Sequence, residues 1–563
     1  MSFATPRPSL HSPSEKDVDI MVNEEAGPSS PLPQVERRDE AYEVLGNAAI
    51  PTEFTTEESI KVLRKIDLWL MPVIVMVYFL QQLDKSSLSY TSVFNIVQET
   101  HLIGQQYSWL GSIVYVAQLV WQPVSSYLLV RLPVAKYLFF NVFMWGIIIA
   151  SSAAAHDFRG LVTARFFLGI FEATVAPCFI TITQMWWRRR EQTLRLSIWF
   201  AANGATGMVS GDFVDTEDKQ IPTFTGMDIC SECCATSEMK HHTDNLPLHR
   251  VVIRGPVAAC LNVDERIILP DSPTKAKFLN QREKLVAIER LRANNMGTET
   301  KVWKWPQVWE VCADPKTYLW FAMLFLCALP SGGISSFGPL IIKGFGFNQF
   351  DTLLFNIPFS AFQVIIIVLS AWISMKIQLK WPVVFCLCLP PIAGSSALLV
   401  MGRAIELKNK LLGVYYVLSF FSSIQPMLYT WSSQNTAGHT KKLCVVFVAQ
   451  CAGNIIGPLL YTTEEAPYYH RGLTADLICW IVLCILVLVT AAYLKFLNMR
   501  HIKGRRLAGM PTKIIDTSLS TTAETVRLQY DSDKATAKPV AALNSRAFED
   551  LTDLQNVEFV YVL

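Results

Sequence analysis

Between Leu68 and Leu497 short polar stretches alternate with long apolar runs, most of them longer than the core helix of a soluble protein requires. Crossing roughly 30 Å of hydrocarbon takes about 20 predominantly apolar residues in a helix. The pattern predicts helices near 67–91, 107–130, 137–156, 161–187, 195–211, 317–342, 352–375, 382–401, 411–435, 441–461 and 473–497. Most connections are short, as in a helical bundle. The exception, Asp212 to Thr317, divides the chain into two membrane halves. The expected order is a disordered tail (1–60), a first half of five clear helices (61–211), an irregular insert with a central loop (212–316), a second half of six helices (317–497) and a mostly disordered tail (498–563).

The sixth position is where the pattern breaks. The one candidate for a helix there, Val251–Leu269, contains Arg254, Asp264, Glu265 and Arg266. Each charge near mid-helix costs about 2.5–3.5 kcal/mol on insertion, so this segment would enter a bilayer poorly. Upstream, 212–250 holds eight acidic residues and the breakers Pro222, Gly226 and Pro247, and is expected to be extended.

Orientation follows from the basic residues, which accumulate on the cytosolic side of membrane proteins. Arg131 and Lys136 follow the second span, Arg188, Arg189, Arg190 and Arg195 the fourth, and Lys495, Arg500, Lys503, Arg505 and Arg506 the last. The acidic turn at 462–470 falls on the other side. With an even number of spans both termini are cytosolic. Five spans before the centre would instead put the basic stretch 272–305 outside, against its charge.

Composition agrees with a multi-pass membrane protein: 51% hydrophobic residues, 17% charged and 11% aromatic. A net charge of +2 gives no reason to expect a nucleic-acid partner. The thirteen Cys have no regular spacing, and several lie in apolar runs where a thiol is a small hydrophobe. Cys230, Cys233 and Cys234 with His241, His242 and His249 have ligand-like side chains but lack a second half at regular spacing, so no metal is expected. No Walker, dinucleotide or HExxH motif occurs, and neither an enzyme nor a cofactor is expected.

Several strings carry a resemblance. They are FLQQLDKSSLSY (79–90), RLPVAKYL (131–138), ARFFLGIFEA (164–173), QMWWRRREQTLRLSIWF (184–200), LPDSPTKAKFLNQREK (269–284), NTAGHTKK (435–442), GNIIGPLLY (453–461) and EEAPYYHRG (464–472). In order and spacing the chain resembles fungal major facilitator transporters of the allantoate permease (anion:cation symporter) group. The resemblance implies an all-α, major-facilitator-like bundle of two six-helix halves. It also implies a Trp-containing sixth helix running directly into the LPDSP string, which is what low-hydropathy sequence replaces here.

The candidate pathway residues are polar groups inside apolar helices, where each needs a partner or a cavity. Asp84 and Lys85 end the first helix, as a gate, a substrate-facing pair or a pair reaching the interface. Arg165 and Glu172 lie two helical turns apart on one face of the fourth helix, with Gly169 between them leaving room for a neighbour. Arg165 suits a carboxylate clamp and Glu172 a proton carrier, the alternative being a structural or gating pair. Gln118 and Asn203 in the first half, and Asn435 and Asn454 in the second, either line the cavity or hold helices together. Gln425 precedes Pro426, which kinks the tenth helix, and Tyr429 one turn on either stacks on a flat ligand or packs. Gly453, Gly457 and Pro458 form a close-packing element.

The expected function is proton-coupled symport of a small organic anion by a plasma-membrane monomer, the resemblance pointing to a carboxylate vitamin or an allantoate-like compound. The alternative is a non-transporting or truncated homologue lacking its sixth helix, through decay or a misassigned exon. The substrate itself is not legible.

Overall fold

The computed structural model describes residues 54–91, 106–152, 157–215, 269–292, 294, 303–438, 441, 446–462, 465–507, 518, 551–556 and 558–563, all within the unit Asp39–Leu563. Residues 212–215, expected to be extended, are helical. The expectations for 1–53 and 216–268, the Cys/His run included, lie outside the described residues.

The first half begins earlier than hydropathy indicated. Helix α1 spans Thr56–Thr91, and a capping box starts it: the Glu58 amide donates to Thr55 Oγ1 at 3.2 Å and the Thr55 amide to Glu58 Oε2 at 3.0 Å. Its first turns are polar and carry Lys61, Arg64 and Lys65 at one face of the bundle, here called the basic face. Helices α2 (Gln106–Arg131) and α3 (Val134–Ser152) return and recross.

The fourth span is two helices, α4 (Phe158–Glu172) and α5 (Val175–Trp186). Asp157 caps α4 by accepting the Gly160 amide. Pro177 has no amide proton to return to the carbonyl four residues back, at Ala173, so the helical ladder is interrupted there. The break falls beside Glu172. α6 (Arg189–Asp215) closes the half. It is charged at its start and mostly buried, lying between α1 and the second half, so it needs no apolar outer surface.

Two short helices, α7 (Gln281–Arg292) and α8 (Trp305–Ala313), precede the second half. That half comprises α9 (Pro315–Gly344), α10 (Gln349–Leu354), α11 (Asn356–Ile377), α12 (Trp381–Val400), α13 (Lys408–Val417), α14 (Ile424–Gln434), α15 (Val446–Leu459) and α16 (His470–Leu507). A 3-10 turn over Leu418–Ser423 joins α13 to α14, so the tenth span is broken just ahead of Pro426.

Among the described residues eight helices are long and apolar enough to cross a membrane, and two shorter apolar helices, Val134–Ile149 and Phe447–Leu459, accompany them. The chain is therefore an all-α, multi-pass membrane protein, though not a clean pair of six-helix halves. Exposed apolar side chains such as Phe140, Ile147, Ile365, Trp372, Ile485 and Leu488 give the bundle a lipid-facing surface.

Only five spans are expected before the centre, yet the described residues on either side of 216–268 lie at opposite faces. α6 runs parallel to α1: Arg195 pairs with Asp67 and Thr206 Oγ1 reaches the Phe79 carbonyl. Its 27 residues carry the chain from the basic face to the opposite one. Yet the next described stretch is back on the basic face, where Glu283 bonds Lys65 at 2.8 Å, Asp271 accepts the Ala135 amide at 3.1 Å, and Arg290 pairs with Glu191 at 2.7 Å. The described stretch 269–292 thus shares a face with the loop 187–188 and the first turn of α6.

Candidate functional site

The two halves meet along α2 with α15 and α6 with α11. Close approach is built in: a Cβ at Gly204 would lie 2.7 Å from both the Ser360 carbonyl oxygen and Val364 Cγ2. Gly169 seats α4 on the Val114 carbonyl of α2, while Gly453 and Gly457 seat α15 on the backbone of α9. Pro458 lies within the last turns of α15.

Between the halves lies a central cavity. Glu172, 3% exposed, sits at its first-half wall. Its Oε2 receives the Lys85 ammonium at 3.2 Å and the Gln118 amide at 3.1 Å. Its other oxygen has no hydrogen-bond partner among the described residues, and neither do Gln81 Oε1 and Gln122 Nε2 on the same wall. Lys85 also stands 5.8 Å from the Tyr115 ring centroid. Asp84 lies in the field of Arg165 and Lys85, and Arg165 lines the cavity, half-buried, on the face it shares with Glu172. Asp84 is not among the lining residues, but together with the three that are it balances two cations with two carboxylates. Among the described residues every charged lining group comes from the first half. The second contributes uncharged polar groups, among them Ser331, Ser360, Gln363, Gln425, Gln450 and Asn454.

The remaining candidates divide by position. Asn203 and Gln425 open onto the cavity, and Asn454 does so where it packs on Gly332. Gln118 bridges the halves, accepting from Cys451 Sγ at 3.8 Å. Tyr429 belongs to an aromatic floor: it stacks between Phe200 (5.7 Å, 27°) and Phe447 (5.5 Å, 27°), with its hydroxyl on Gln450. Tyr78 and Trp199 continue that floor at 4.8 Å. Asn435 is not at the cavity. It is fully buried at the basic face, where it binds the backbone of Val562. Gln81, Gln122 and Gln363 were missed, although each is an amide in an apolar run, the signal that singled out Gln118.

Below the floor the basic face is closed. Gln434 Nε2 of the second half donates to the Arg189 carbonyl of the first at 2.6 Å, and Lys380 Nζ bonds Thr193 Oγ1. Lys380 lies just outside its span, and burial pushes its ammonium down to about 7. Asp67 anchors Arg195 through both carboxylate oxygens, at 3.2 and 2.8 Å, and accepts the Trp187 indole at 2.8 Å. No cluster of His, Cys, Asp and Glu able to hold a metal occurs among the described residues.

Two helical halves around a charged central cavity follow the plan of a secondary transporter. The sequence pattern of the Major Facilitator Superfamily matches residues 74–211. An uncharacterized transporter of Schizosaccharomyces pombe is 31% identical over 461 residues, covering 80% of this chain and 81% of that protein. The allantoate permease of Saccharomyces cerevisiae is 28% identical over 556 residues, covering 93% and 90%. In fold, the chain is similar to the proton:xylose symporter XylE bound to 6-bromo-6-deoxy-D-glucose. The TM-score is 0.56 at 11% identity, over 75% of this chain and 95% of that one. The chain belongs to the major facilitator superfamily, among its fungal transporters.

Proposed function

We propose that the chain is a proton-coupled symporter of a small organic anion, of the allantoate permease group, with the basic face and both termini cytosolic at the plasma membrane. One observation carries the reading: Lys85, Arg165 and Glu172 line the cavity, and with Asp84, which interacts with both cations from outside the lining, they form a group that is neutral when all four are ionised. A carboxylate entering beside Arg165 adds an unbalanced negative charge in a low-dielectric site, which is severely penalised. A proton taken at Glu172, whose Oε1 is open, restores neutrality. Anion and proton therefore enter together. The amides and hydroxyls of the second half then read the rest of the molecule.

The test is uptake of labelled carboxylates by a transporter-null yeast expressing the chain, with external pH recorded. Saturable uptake of one acid accompanied by alkalinisation is expected. Uptake without proton movement, or of uncharged analogues alone, overturns the reading.

One observation favours a second reading, a non-transporting homologue: the charged Val251–Leu269 stands where a sixth span belongs. Genomic sequence across codons 205–270 discriminates, since an in-frame apolar helix skipped there restores the transporter. The return of 269–292 to the basic face supports the first reading.

A further inference from the structure

The segment 551–563, expected to be part of a disordered tail, buries six of its side chains at the basic face. Thr552, Asp553 and Phe559 are fully covered, and Asn556, Tyr561 and Val562 nearly so. The pocket that holds it is built for it at every step. Asp553 pairs with the Lys316 ammonium and, at 3.1 Å, with that of Lys441, and it accepts the Ala437 amide at 3.3 Å. Lys316, 1% exposed at its side chain, has only carboxylates of Asp553 and Asp314 as ion-pair partners among the described residues. Burial alone would push the Asp553 carboxyl up, but Lys316 and then Lys441 outweigh it and hold it at about 2.

Beyond that charge lock the contacts are to peptide groups, as in strand-type peptide recognition. The Val562 amide donates to Asn435 Oδ1 at 2.7 Å, and its carbonyl accepts from Asn435 Nδ2 and the Trp431 indole, each at 2.9 Å. Asn498 makes the same two-point contact with Tyr561, at 2.9 and 2.9 Å. His501 Nδ1 lies 3.0 Å from the Phe559 carbonyl, and the Lys380 amide donates to that of Leu563 at 2.6 Å.

All of these partners belong to the second half. The first half reaches the segment through Arg189, which donates to the Val560 carbonyl at 3.2 Å and lays its guanidinium 4.4 Å from the Phe559 ring centroid. The same residue's carbonyl is held by Gln434. The segment therefore sits across the seam that must part when a major facilitator bundle opens on this side.

We propose that the basic face carries a binding site for an acidic-aromatic peptide, occupied by this chain's own 551–563 segment, and that its occupancy latches the two halves closed there. Release of the segment removes the Arg189 side chain's contacts with Val560 and Phe559 and raises the share of molecules open to the basic face. Only the statement that this face is cytosolic rests on the function proposed above. The test below needs no substrate.

The test uses the full chain in inside-out vesicles, with Thr193→Cys as a reporter of the closed seam and the parent chain as background for native thiols. Removing 551–563, or Asp553→Asn, is expected to raise maleimide labelling of the reporter several-fold. A synthetic 551–563 peptide added to the truncated chain is expected to reverse the rise. Unchanged labelling in both variants, at normal abundance, overturns the proposal. A second measurement covers variants that fail to fold. In the otherwise intact chain, Asn498→Cys with Tyr561→Cys is expected to be bridged by a short bis-maleimide, and absence of that crosslink overturns the docking itself.

Discussion

Lys85 and Gln118 meet on a single oxygen of Glu172, at 3.2 and 3.1 Å, and leave the other, buried oxygen without a hydrogen-bond partner among the described residues. An ionised carboxylate has acceptor capacity on both oxygens, so this arrangement half-satisfies the charge and keeps one site open for a proton.

Glu172→Gln should separate coupling from transport. The amide retains an acceptor for Gln118 but cannot gain or lose a proton. Proton-driven accumulation should fall by about tenfold or more, while exchange of labelled for unlabelled anion continues. Counterflow and net uptake, measured side by side, check this. Accumulation at the parent level would remove Glu172 from the coupling step.

Arg165→Ala should abolish carboxylate uptake with surface abundance near normal. An unpaired charge left in a buried site costs about 3–5 kcal/mol, which corresponds to a loss of roughly 100-fold or more. Arg165→Lys separates two roles: a simple counter-charge tolerates Lys in part, a bidentate clamp does not. Lost abundance would instead place Arg165 in the scaffold.

Gly457→Ala should lower the thermal midpoint in detergent and reduce abundance. The added methyl meets the Leu329 carbonyl of α9, a backbone atom that cannot swing away, and overpacking of this kind costs about 1–3 kcal/mol. Gly413→Ala, with nothing within 4 Å, is the control and should be neutral or slightly stabilising.

Stability should rise with pH above neutrality. Lys380 is held near 7 in the folded chain by burial, whereas the unfolded chain binds that proton up to about pH 10.4. Between these values the unfolded state binds more protons, so raising the pH favours the fold; below about 7 the penalty is fully present and constant. The detergent melting midpoint should climb from pH 7 to 9 in the parent and climb less in Lys380→Met. Equal slopes would sink the assignment.

What could be read in advance follows from where physical cost is local. Arg165, Glu172 and Gln118 are expensive in hydrocarbon whatever surrounds them, so hydropathy alone turned them toward the bundle interior. Asn435 obeys the same rule, but its partner is Val562, 127 residues away, and nothing local tells a cavity amide from a docking amide. Lys316, Lys380 and Lys441 stand at helix ends, where a lysine ordinarily reaches water and serves only as an orientation signal. Their burial follows from a segment more than a hundred residues downstream in each case. Hydropathy places the start of α6 six residues late for a related reason, because Arg189 looks like loop until the contacts that bury it are known.

The cavity's one-sided charge has an evolutionary corollary. With Lys85, Arg165 and Glu172 on one half and only neutral donors and acceptors on the other, the ionic machinery and the shape-reading surface mutate independently. Exchanges among Ser331, Ser360, Gln363 and Asn454 can retune which substrate is accepted without disturbing the charged groups. A lineage built on this plan can diversify its diet one neutral side chain at a time.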